Sequence, residues 1–265
     1  MARIDCSGLA AEGLATPALA ATPQLREACE RFVKDGYVVL DHVVDAAKMQ
    51  SLLVEFRRRH MVGEDAVRAN EFLEVSGRRY MLAVELSGAF ADRSIYANPV
   101  VLALGHKLLG PDMILEAFGA IVSCPEAEAQ VAHADAPELF SPEISPILPP
   151  YAMTCALPLV ELNEVSGAPA LWPRSHRARP GDALGEPERP VVPVGACVIW
   201  DFRLEHRGSE NRSRQARPLL YATYTKRWFR DPVNFTKGLR QRLAFDPAAI
   251  DREDDELQRL LAHAM

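Results

Sequence analysis

Two histidines and one aspartate are the residues of this chain best suited to hold a metal ion. His133 and Asp135 are separated by one residue, so in an extended segment their side chains point to the same side. His206 follows a strand-like run and supplies a second imidazole from a distant part of the chain. Two imidazoles and one carboxylate on one face of Fe(II) leave the other coordination positions open to a bidentate cosubstrate and to O₂. These three residues therefore predict a non-haem iron site.

An arginine that follows His206 by eleven residues makes this pattern more specific. Between the two lies a turn containing Gly, Ser and Asn, so Arg217 is expected in the neighbouring antiparallel strand, beside the metal. A guanidinium group binds a carboxylate through two parallel hydrogen bonds, which a lysine cannot provide. 2-Oxoglutarate chelates iron through its 2-oxo acid and carries a second carboxylate at its far end. Arg217 is the predicted partner of that distal carboxylate.

The sequence around these positions resembles the phytanoyl-CoA dioxygenase-like (PhyH) family of Fe(II)- and 2-oxoglutarate-dependent oxygenases. The shared features are the HxD pair, the later histidine and the arginine eleven residues beyond it. Residues 166–177, with the sequence SGAPALWPRSHR, are similar to a G…PGSH segment of that family. The resemblance extends over about residues 24–230, and it implies a double-stranded β-helix core.

The resemblance also implies roles for individual residues. Fe(II) is expected on His133, Asp135 and His206, and 2-oxoglutarate is expected on Arg217 with help from the hydroxyl of Ser209. Oxygen is then delivered to a C–H bond while 2-oxoglutarate is converted to succinate and CO₂. The carboxylate of Asp135 favours hydroxylation over halogenation, because related halogenases have a small residue at that position.

Further residues are assigned to the two ligand pockets. Tyr151 and Thr154 are expected to line the cosubstrate pocket. Arg79, Arg174 and Arg203 are assigned to the pocket mouth, where positive charge would suit an anionic small-molecule substrate. Arg174 replaces the glycine that is usual in the PGSH segment, and this substitution places a charge at an expected tight turn.

Alternatives to this assignment remain. His176 also follows the HxD pair and is a rival third ligand, but no arginine follows it at the corresponding distance, so a structural role is predicted. The chain is alternatively a cupin-like metalloenzyme that does not use 2-oxoglutarate, or a non-catalytic jelly-roll binding protein. The complete triad and Arg217 argue against both.

The elements that must position these residues form a mainly β protein with flanking helices. Apolar residues at helical spacing predict helices at residues 23–34, from Asp45 to about residue 60, from Asn98 to about residue 109, and at residues 253–262. Short apolar runs separated by Pro, Gly and Ser predict strands at residues 37–40, 113–123, 152–160, 168–172, 196–201 and 218–228. Consecutive short strands without intervening helices indicate a double-stranded β-helix (jelly-roll, cupin-like) core over about residues 111–230.

Composition limits the remaining possibilities. A chain of 265 residues with 48% hydrophobic and 25% charged residues suits one globular domain, expected at residues 23–265 behind a flexible arm at residues 1–22. The net charge of -6 argues against a nucleic-acid partner. No secretory signal or membrane-spanning run is evident, and five widely spaced cysteines without a CxxC pair favour reduced thiols. We therefore expect a cytoplasmic monomer or homodimer that acts on a small molecule.

Overall fold

The computed structural model describes residues 3–9, 16–68, 72–136, 138–234, 242–249, 251 and 254–262. Within these residues the helices are α1 (Thr16–Ala20), α2 (Pro23–Asp35), α3 (Ala46–His60), α4 (Arg93–Tyr96), α5 (Pro99–Leu109) and α6 (Asp255–Leu260). The strands are β1 (Arg3–Asp5), β2 (Tyr37–Asp41), β3 (Met61–Val62), β4 (Ala66–Val67), β5 (Leu73–Ser76), β6 (Arg79–Ala83), β7 (Glu85–Leu86), β8 (Ile114–Ser123), β9 (Ala152–Pro158), β10 (Ala170–Leu171), β11 (Cys197–Asp201), β12 (His206–Arg207), β13 (Arg217–Thr225) and β14 (Ala244–Phe245).

The predicted helices begin at side chains that cap them. The side chain of Thr22 accepts a hydrogen bond from the amide of Leu25 at the start of α2, and Asp45 and Asn98 serve α3 and α5 in the same way. Gly36 ends α2 in the left-handed conformation with φ 83°, which a glycine adopts without strain. The helix bounds therefore follow local sequence signals.

The main sheet of the described residues has eight strands in the order β1-β2-β11-β9-β13-β8-β6-β5. A second layer is made of much shorter segments. The strands β10 and β12 pair with each other, and single bridges add His133 beside His206 and Glu188 beside Leu171. Two facing sheets whose consecutive strands alternate between the layers form the predicted jelly roll, so the fold class is confirmed.

The two faces of the main sheet have different surroundings, as the residues of β13 show. Leu220, Ala222 and Tyr224 lie in the hydrophobic core that the sheet shares with the helices. The alternate residues Leu219 and Tyr221 line a cavity on the other side, between the two sheets. This period-two alternation places every second residue of the long strands at the interior of the barrel.

Two parts of the chain differ from the sequence prediction. Residues 1–22 were expected to form a flexible arm, yet β1 pairs in parallel with β2, and Leu19 of α1 is fully buried. Residues 1–2 and 10–15 lie outside the described part, as does Glu253 of the predicted last helix. The second difference is β5 and β6, which no predicted strand covered and which extend the main sheet beyond β8.

All five cysteines lie in the described part of the chain and are free thiols, as predicted. Among the described residues, no helix combines the length and the apolar character that crossing a bilayer requires.

Candidate metal centre

The three predicted ligands meet at one point between the two sheets. One donor atom from each of His133, Asp135 and His206 lies within 4.8 Å of the others. The two histidines face each other across a bridge of the short layer, where the amide of His133 donates to the carbonyl of His206 at 2.9 Å and the reverse bond is 2.8 Å. The amide of Asp135 donates to the carbonyl of Phe202 at 2.9 Å. Backbone pairing therefore fixes all three ligand positions.

Both imidazoles are oriented by hydrogen bonds to the main chain. Nδ1 of His133 lies 2.9 Å from the carbonyl oxygen of Val131, and Nδ1 of His206 lies 2.9 Å from that of Leu204. Because a carbonyl only accepts, each Nδ1 carries the proton and each Nε2 presents a lone pair. Burial lowers the pKa of His206 below its ordinary value, which keeps this imidazole neutral near pH 7. Both rings are thus in the form that binds a cation.

The carboxylate of Asp135 is held on one side. Its Oδ2 accepts hydrogen bonds from Oγ1 of Thr154 at 3.0 Å and from Nε1 of Trp200 at 2.9 Å. Its Oδ1 lies 3.5 Å from Nε2 of His206. Thr154 and Trp200 are directly opposite each other on the neighbouring strands β9 and β11, so strand register brings both donors to the same oxygen.

A row of polar residues crosses three neighbouring strands of the main sheet. Ser123 at the end of β8 is paired in register with Arg79 of β6 on one side and with Arg217 of β13 on the other. The hydroxyl of Ser123 accepts from Nη1 of Arg79 at 2.7 Å and from Nη2 of Arg217 at 2.6 Å. One hydroxyl therefore holds two guanidinium groups side by side.

These two arginines are buried without a carboxylate partner among the described residues. Arg79 is 1% exposed and Arg217 is 2% exposed, and Nε of each has no hydrogen-bond partner there. Burial lowers the pKa of Arg79 to about 10, and burial together with the charge of Arg79 lowers the pKa of Arg217 to about 9. Two uncompensated cations in a dry site are costly, and a bound anion would remove that cost.

One cavity of about 180 Å³ connects the metal ligands with the arginine pair. His133, Asp135, His206, Arg79 and Arg217 all line it. At Gly208 an added Cβ would lie 2.3 Å from Nη1 of Arg79, so the absence of a side chain there leaves room for the guanidinium. The cavity therefore has a cation-binding end and an anion-binding end.

The phytanoyl-CoA dioxygenase (PhyH) family profile matches residues 32–219 of this chain, a range that contains all three metal-binding candidates and Arg217. The chain belongs to the PhyH family. Members of this family use Fe(II), 2-oxoglutarate and O₂. The resemblance found in the sequence is confirmed.

Curated relatives of this PhyH-family protein include two fungal dioxygenases. Dioxygenase trt7 of Aspergillus terreus is 25% identical over 201 residues, which are 72% of this chain and 70% of the relative. Dioxygenase af480 of Aspergillus fumigatus is 26% identical over 158 residues, which are 57% of this chain and 50% of the relative.

Solved structures with a similar fold include SnoN and HygX. The non-haem alpha-ketoglutarate-dependent epimerase SnoN of nogalamycin biosynthesis has a TM-score of 0.60 at 20% identity, covering 76% of this chain and 83% of SnoN. HygX from Streptomyces hygroscopicus, solved with nickel, 2-oxoglutarate and hygromycin B, has a TM-score of 0.61 at 16% identity, covering 83% of this chain and 96% of HygX. At these identities the likeness establishes the fold.

The structure separates the residues predicted to assist the cosubstrate. Thr154 lines the cavity of this PhyH-family protein, as expected. Tyr151 does not line it and packs instead against Phe229, with ring centroids 4.7 Å apart. Ser209 is also not a lining residue: its hydroxyl is buried without a partner in the described residues, and its carbonyl accepts from Arg79 at 2.8 Å. Neither side chain is placed to contact a ligand in this cavity.

The three arginines assigned to an anionic substrate lie in three different places: Arg79 in the cavity, Arg203 in an open depression beside Asp135, and Arg174 in a surface groove. Arg79 is inside the cavity beside Arg217 rather than at its mouth. Arg203 forms a buried ion pair with Asp201 at 2.8 Å and donates to two loop carbonyls, so its charge is already compensated. Arg174 is exposed and lines a separate surface groove together with α2. Its φ of 71° is left-handed, as the glycine expected at this position would allow.

The rival ligand His176 is buried, with Nε2 lying 3.2 Å from the carbonyl oxygen of Val33 on α2, and it is not part of the triad. Sequence reasoning missed Gln130 and Trp200, which line the cavity, and Ser123, which bonds its two arginines. Trp200 carried a usable signal, because it lies in the strand-like run that leads to His206. The position of Ser123 depends on the register of three strands and left no local signal.

Proposed function

We propose that this protein is an Fe(II)- and 2-oxoglutarate-dependent dioxygenase that hydroxylates a C–H bond of a small-molecule substrate, with release of succinate and CO₂. The observation that carries the proposal is the cavity with two unlike ends. Three neutral or anionic donors face one end, and two buried guanidinium groups without a carboxylate face the other. A metal ion chelated by a keto-diacid matches both ends at once.

At the metal end, His133, Asp135 and His206 would hold Fe(II). Both Nδ1 atoms are already engaged with carbonyl oxygens, so the donor set is two Nε2 atoms and a carboxylate oxygen. When bound, Fe(II) supplies the activation of O₂ that is coupled to decarboxylation of 2-oxoglutarate. The chain itself provides the fixed ligands on one face and leaves the opposite positions to cosubstrate and O₂.

At the other end, Arg217 and Arg79 would bind the distal carboxylate of 2-oxoglutarate. Ser123 keeps the two guanidinium groups adjacent, and Tyr221 adds a phenol whose hydroxyl is buried in the cavity wall without a partner in the described residues. Much of the remaining wall is apolar, and a wall that limits water would strengthen the ionic contacts. Its apolar residues are Val75, Met81, Ile121, Pro169, Phe202 and Leu219.

The substrate would approach from the opposite side of Asp135. A more open depression of about 560 Å³ reaches this ligand and is also lined by Glu138, Glu205 and Arg179. Arg203 also lines this depression, but it is paired with Asp201, and the carboxylates of Asp135, Glu138 and Glu205 lie there too, so an anionic substrate is not part of the proposal. HygX was solved with hygromycin B, and SnoN was solved with a nogalamycin compound, which supports a small-molecule substrate for a protein of this fold.

The proposal is tested by anaerobic addition of Fe(II) and then 2-oxoglutarate to the metal-free protein. A visible charge-transfer band that requires both additions is expected, because the 2-oxo acid must chelate the metal in the site. Succinate formation after admission of O₂ then distinguishes an active oxygenase from a binding protein. Folded protein that binds Fe(II) but gives no band with 2-oxoglutarate would favour a metalloenzyme that does not use this cosubstrate.

A further inference from the structure

The two oxygens of the Asp135 carboxylate have different surroundings. Oδ2 accepts two hydrogen bonds, from the hydroxyl of Thr154 at 3.0 Å and from the indole N–H of Trp200 at 2.9 Å. Oδ1 receives neither of these bonds and faces Nε2 of His206 at 3.5 Å. The metal-facing side of this carboxylate is therefore Oδ1, and the opposite side is tied to the main sheet.

We propose that Trp200 and Thr154 are positioning residues that keep Asp135 a ligand through Oδ1 alone. The inference rests on the proposed function and concerns how the metal site stays open. Three protein ligands leave three of six positions on an octahedral ion, which a bidentate 2-oxo acid and O₂ would fill. If Asp135 also bound through Oδ2, one of these positions would be lost.

The indole N–H of Trp200 is suited to this task because it has a fixed direction. An indole N–H can only donate, so the bond at Trp200 requires an acceptor, and rotation of the carboxylate would leave the N–H unpaired. Trp200 is buried, and its ring lies 5.2 Å from that of His206. The main chain of Asp135 is fixed as well, because its carbonyl accepts from Nδ2 of Asn234 at 2.8 Å.

Strand geometry explains why both donors reach one oxygen. Trp200 of β11 and Thr154 of β9 are paired in register, and Thr223 of β13 continues the same row on the next strand. Directly opposed residues on adjacent strands point to the same face. The row therefore presents an N–H and an O–H to the carboxylate from a rigid sheet.

The test compares Trp200→Phe and Thr154→Val with two matched controls. Trp200→Phe keeps an aromatic ring without the N–H, and Thr154→Val keeps the branched shape without the hydroxyl. Thr154→Ser retains the hydroxyl, and Trp228→Phe replaces a tryptophan that is 63% exposed and does not line the cavity. Co(II) serves as the probe, because its affinity is measured by calorimetry and its visible spectrum reports the number of ligands.

We expect Trp200→Phe and Thr154→Val each to weaken Co(II) binding by about 10- to 100-fold, the usual effect of removing a group that orients a metal ligand. Their Co(II) spectra should also change, because a second oxygen of Asp135 would replace a water ligand, while the spectra of Thr154→Ser and Trp228→Phe match the parent. Co(II) should quench tryptophan emission in the parent and much less in Trp200→Phe, since Trp200 contacts a ligand. Circular dichroism and thermal melts identify a variant that does not fold. If Trp200→Phe does not fold, the comparison of Thr154→Val with Thr154→Ser decides whether the positioning role holds.

Wild-type affinity and an unchanged spectrum in folded Thr154→Val and Trp200→Phe would overturn the positioning role. Failure of the proposed function has a different signature, since the parent would then bind Co(II) and Fe(II) without forming the 2-oxoglutarate band. The positioning role is judged by metal binding alone, so each idea can fail without the other.

Discussion

The two ends of the cavity are built on opposite principles. At the metal end each ligand is already oriented: both imidazoles bond main-chain carbonyls through Nδ1, and Asp135 is held through Oδ2. At the arginine end two buried guanidinium groups share one serine hydroxyl, and Nε of each has no partner in the described residues. At the metal end the orienting polar atoms have hydrogen-bond partners before a ligand arrives. At the arginine end some donors have none among the described residues.

This difference indicates how each ligand is selected. Ligands that are fixed in advance lose little entropy on binding, so the metal end favours an ion that fits one geometry. Buried cations without counterions destabilise the empty protein, and a dianion that reaches them recovers that free energy. If both ligands bind as proposed, the metal end would select by geometry and the arginine end by charge.

The largest effect is expected from removing a ligand at the metal end. His206→Ala leaves two of three donors, and we expect loss of measurable Co(II) binding and of O₂ consumption with 2-oxoglutarate. Calorimetry and an oxygen electrode measure the two results. His106→Gln on α5, outside the cavity, is the matched control. Co(II) binding by His206→Ala with parent affinity would show that the ion is held elsewhere.

The next largest effect is expected at the arginine end. Arg217→Met should weaken 2-oxoglutarate binding by about 100-fold or more, since removing one partner of a buried ion pair costs roughly 3 kcal/mol or more. Titration of the charge-transfer band measures this affinity, and Co(II) affinity should stay at the parent value. Arg217→Lys keeps the positive charge but cannot form two parallel hydrogen bonds, so its affinity for 2-oxoglutarate should lie between those of the parent and of Arg217→Met.

The same Arg217→Met variant has a second expected result. The protein without ligands should be more stable than the parent by about 1 kcal/mol or more, because an uncompensated buried charge is replaced by an apolar chain. Denaturant unfolding without metal or 2-oxoglutarate tests this. A less stable variant would mean that Arg217 is compensated in the empty protein, and the contrast between the two ends would be wrong.

A smaller loss of 2-oxoglutarate affinity is expected when a side chain is added next to Arg79. In Gly208→Ala the added Cβ would lie 2.3 Å from Nη1 of Arg79, so this guanidinium must move. We expect 2-oxoglutarate to bind about 10-fold more weakly, close to the loss of one good hydrogen bond to a charged group, with Co(II) affinity unchanged. Equal losses for both ligands would indicate a general distortion of the cavity.

Acid should affect the metal end and leave the arginine end charged. Burial lowers the pKa of three histidines below the ordinary value of 6.5: His206 at the metal end, and His176 and His106 outside it. The unfolded chain then takes up protons that the folded chain resists, so the free energy of unfolding should be constant above that pH and fall below it, by at most about 1.4 kcal/mol per histidine and pH unit. Denaturant unfolding of the metal-free protein between about pH 7.5 and 5.5 measures this, and a flat profile would contradict it.

The smallest effect is expected outside the cavity. Arg174→Gly relieves a left-handed backbone with φ 71°, and the gain is partly offset by the freedom of glycine in the unfolded chain, so we expect a stabilisation of less than about 1 kcal/mol. Metal and 2-oxoglutarate binding should not change. Once a substrate is known, a raised KM in this variant would indicate that Arg174 takes part in substrate binding.

Local patterns in the sequence were sufficient for a large part of the fold. Asp45 and Asn98 cap the helices they were expected to begin, because capping needs only a side chain and the next few amides. The pair of Asp201 and Arg203 also follows a local pattern, since the carboxylate of Asp201 accepts from the amide of Arg203 in the turn after β11 and so lies beside its guanidinium. Arg203 was instead assigned to substrate because its charge was considered without its neighbour.

The position of Arg79 could not be obtained from such patterns. Its strand β6 has a mixed composition and was not predicted, and it reaches the cavity only because it pairs with β8. Trp200 and Thr154 likewise meet at Asp135 through the register of strands that are far apart in the chain. Register depends on the packing of the whole sheet, which no short window of sequence contains.

By itself the sequence determined which groups are present and how they alternate: a metal-binding triad, an arginine at a fixed distance from it, and strands with one inward face. The tertiary structure decided which of many arginines are buried and what each ligand is held by. The physical reason is the sequence separation over which each interaction acts. Caps and alternation act within a few residues, whereas the row of Arg79, Ser123 and Arg217 exists only when three strands from distant parts of the chain lie side by side.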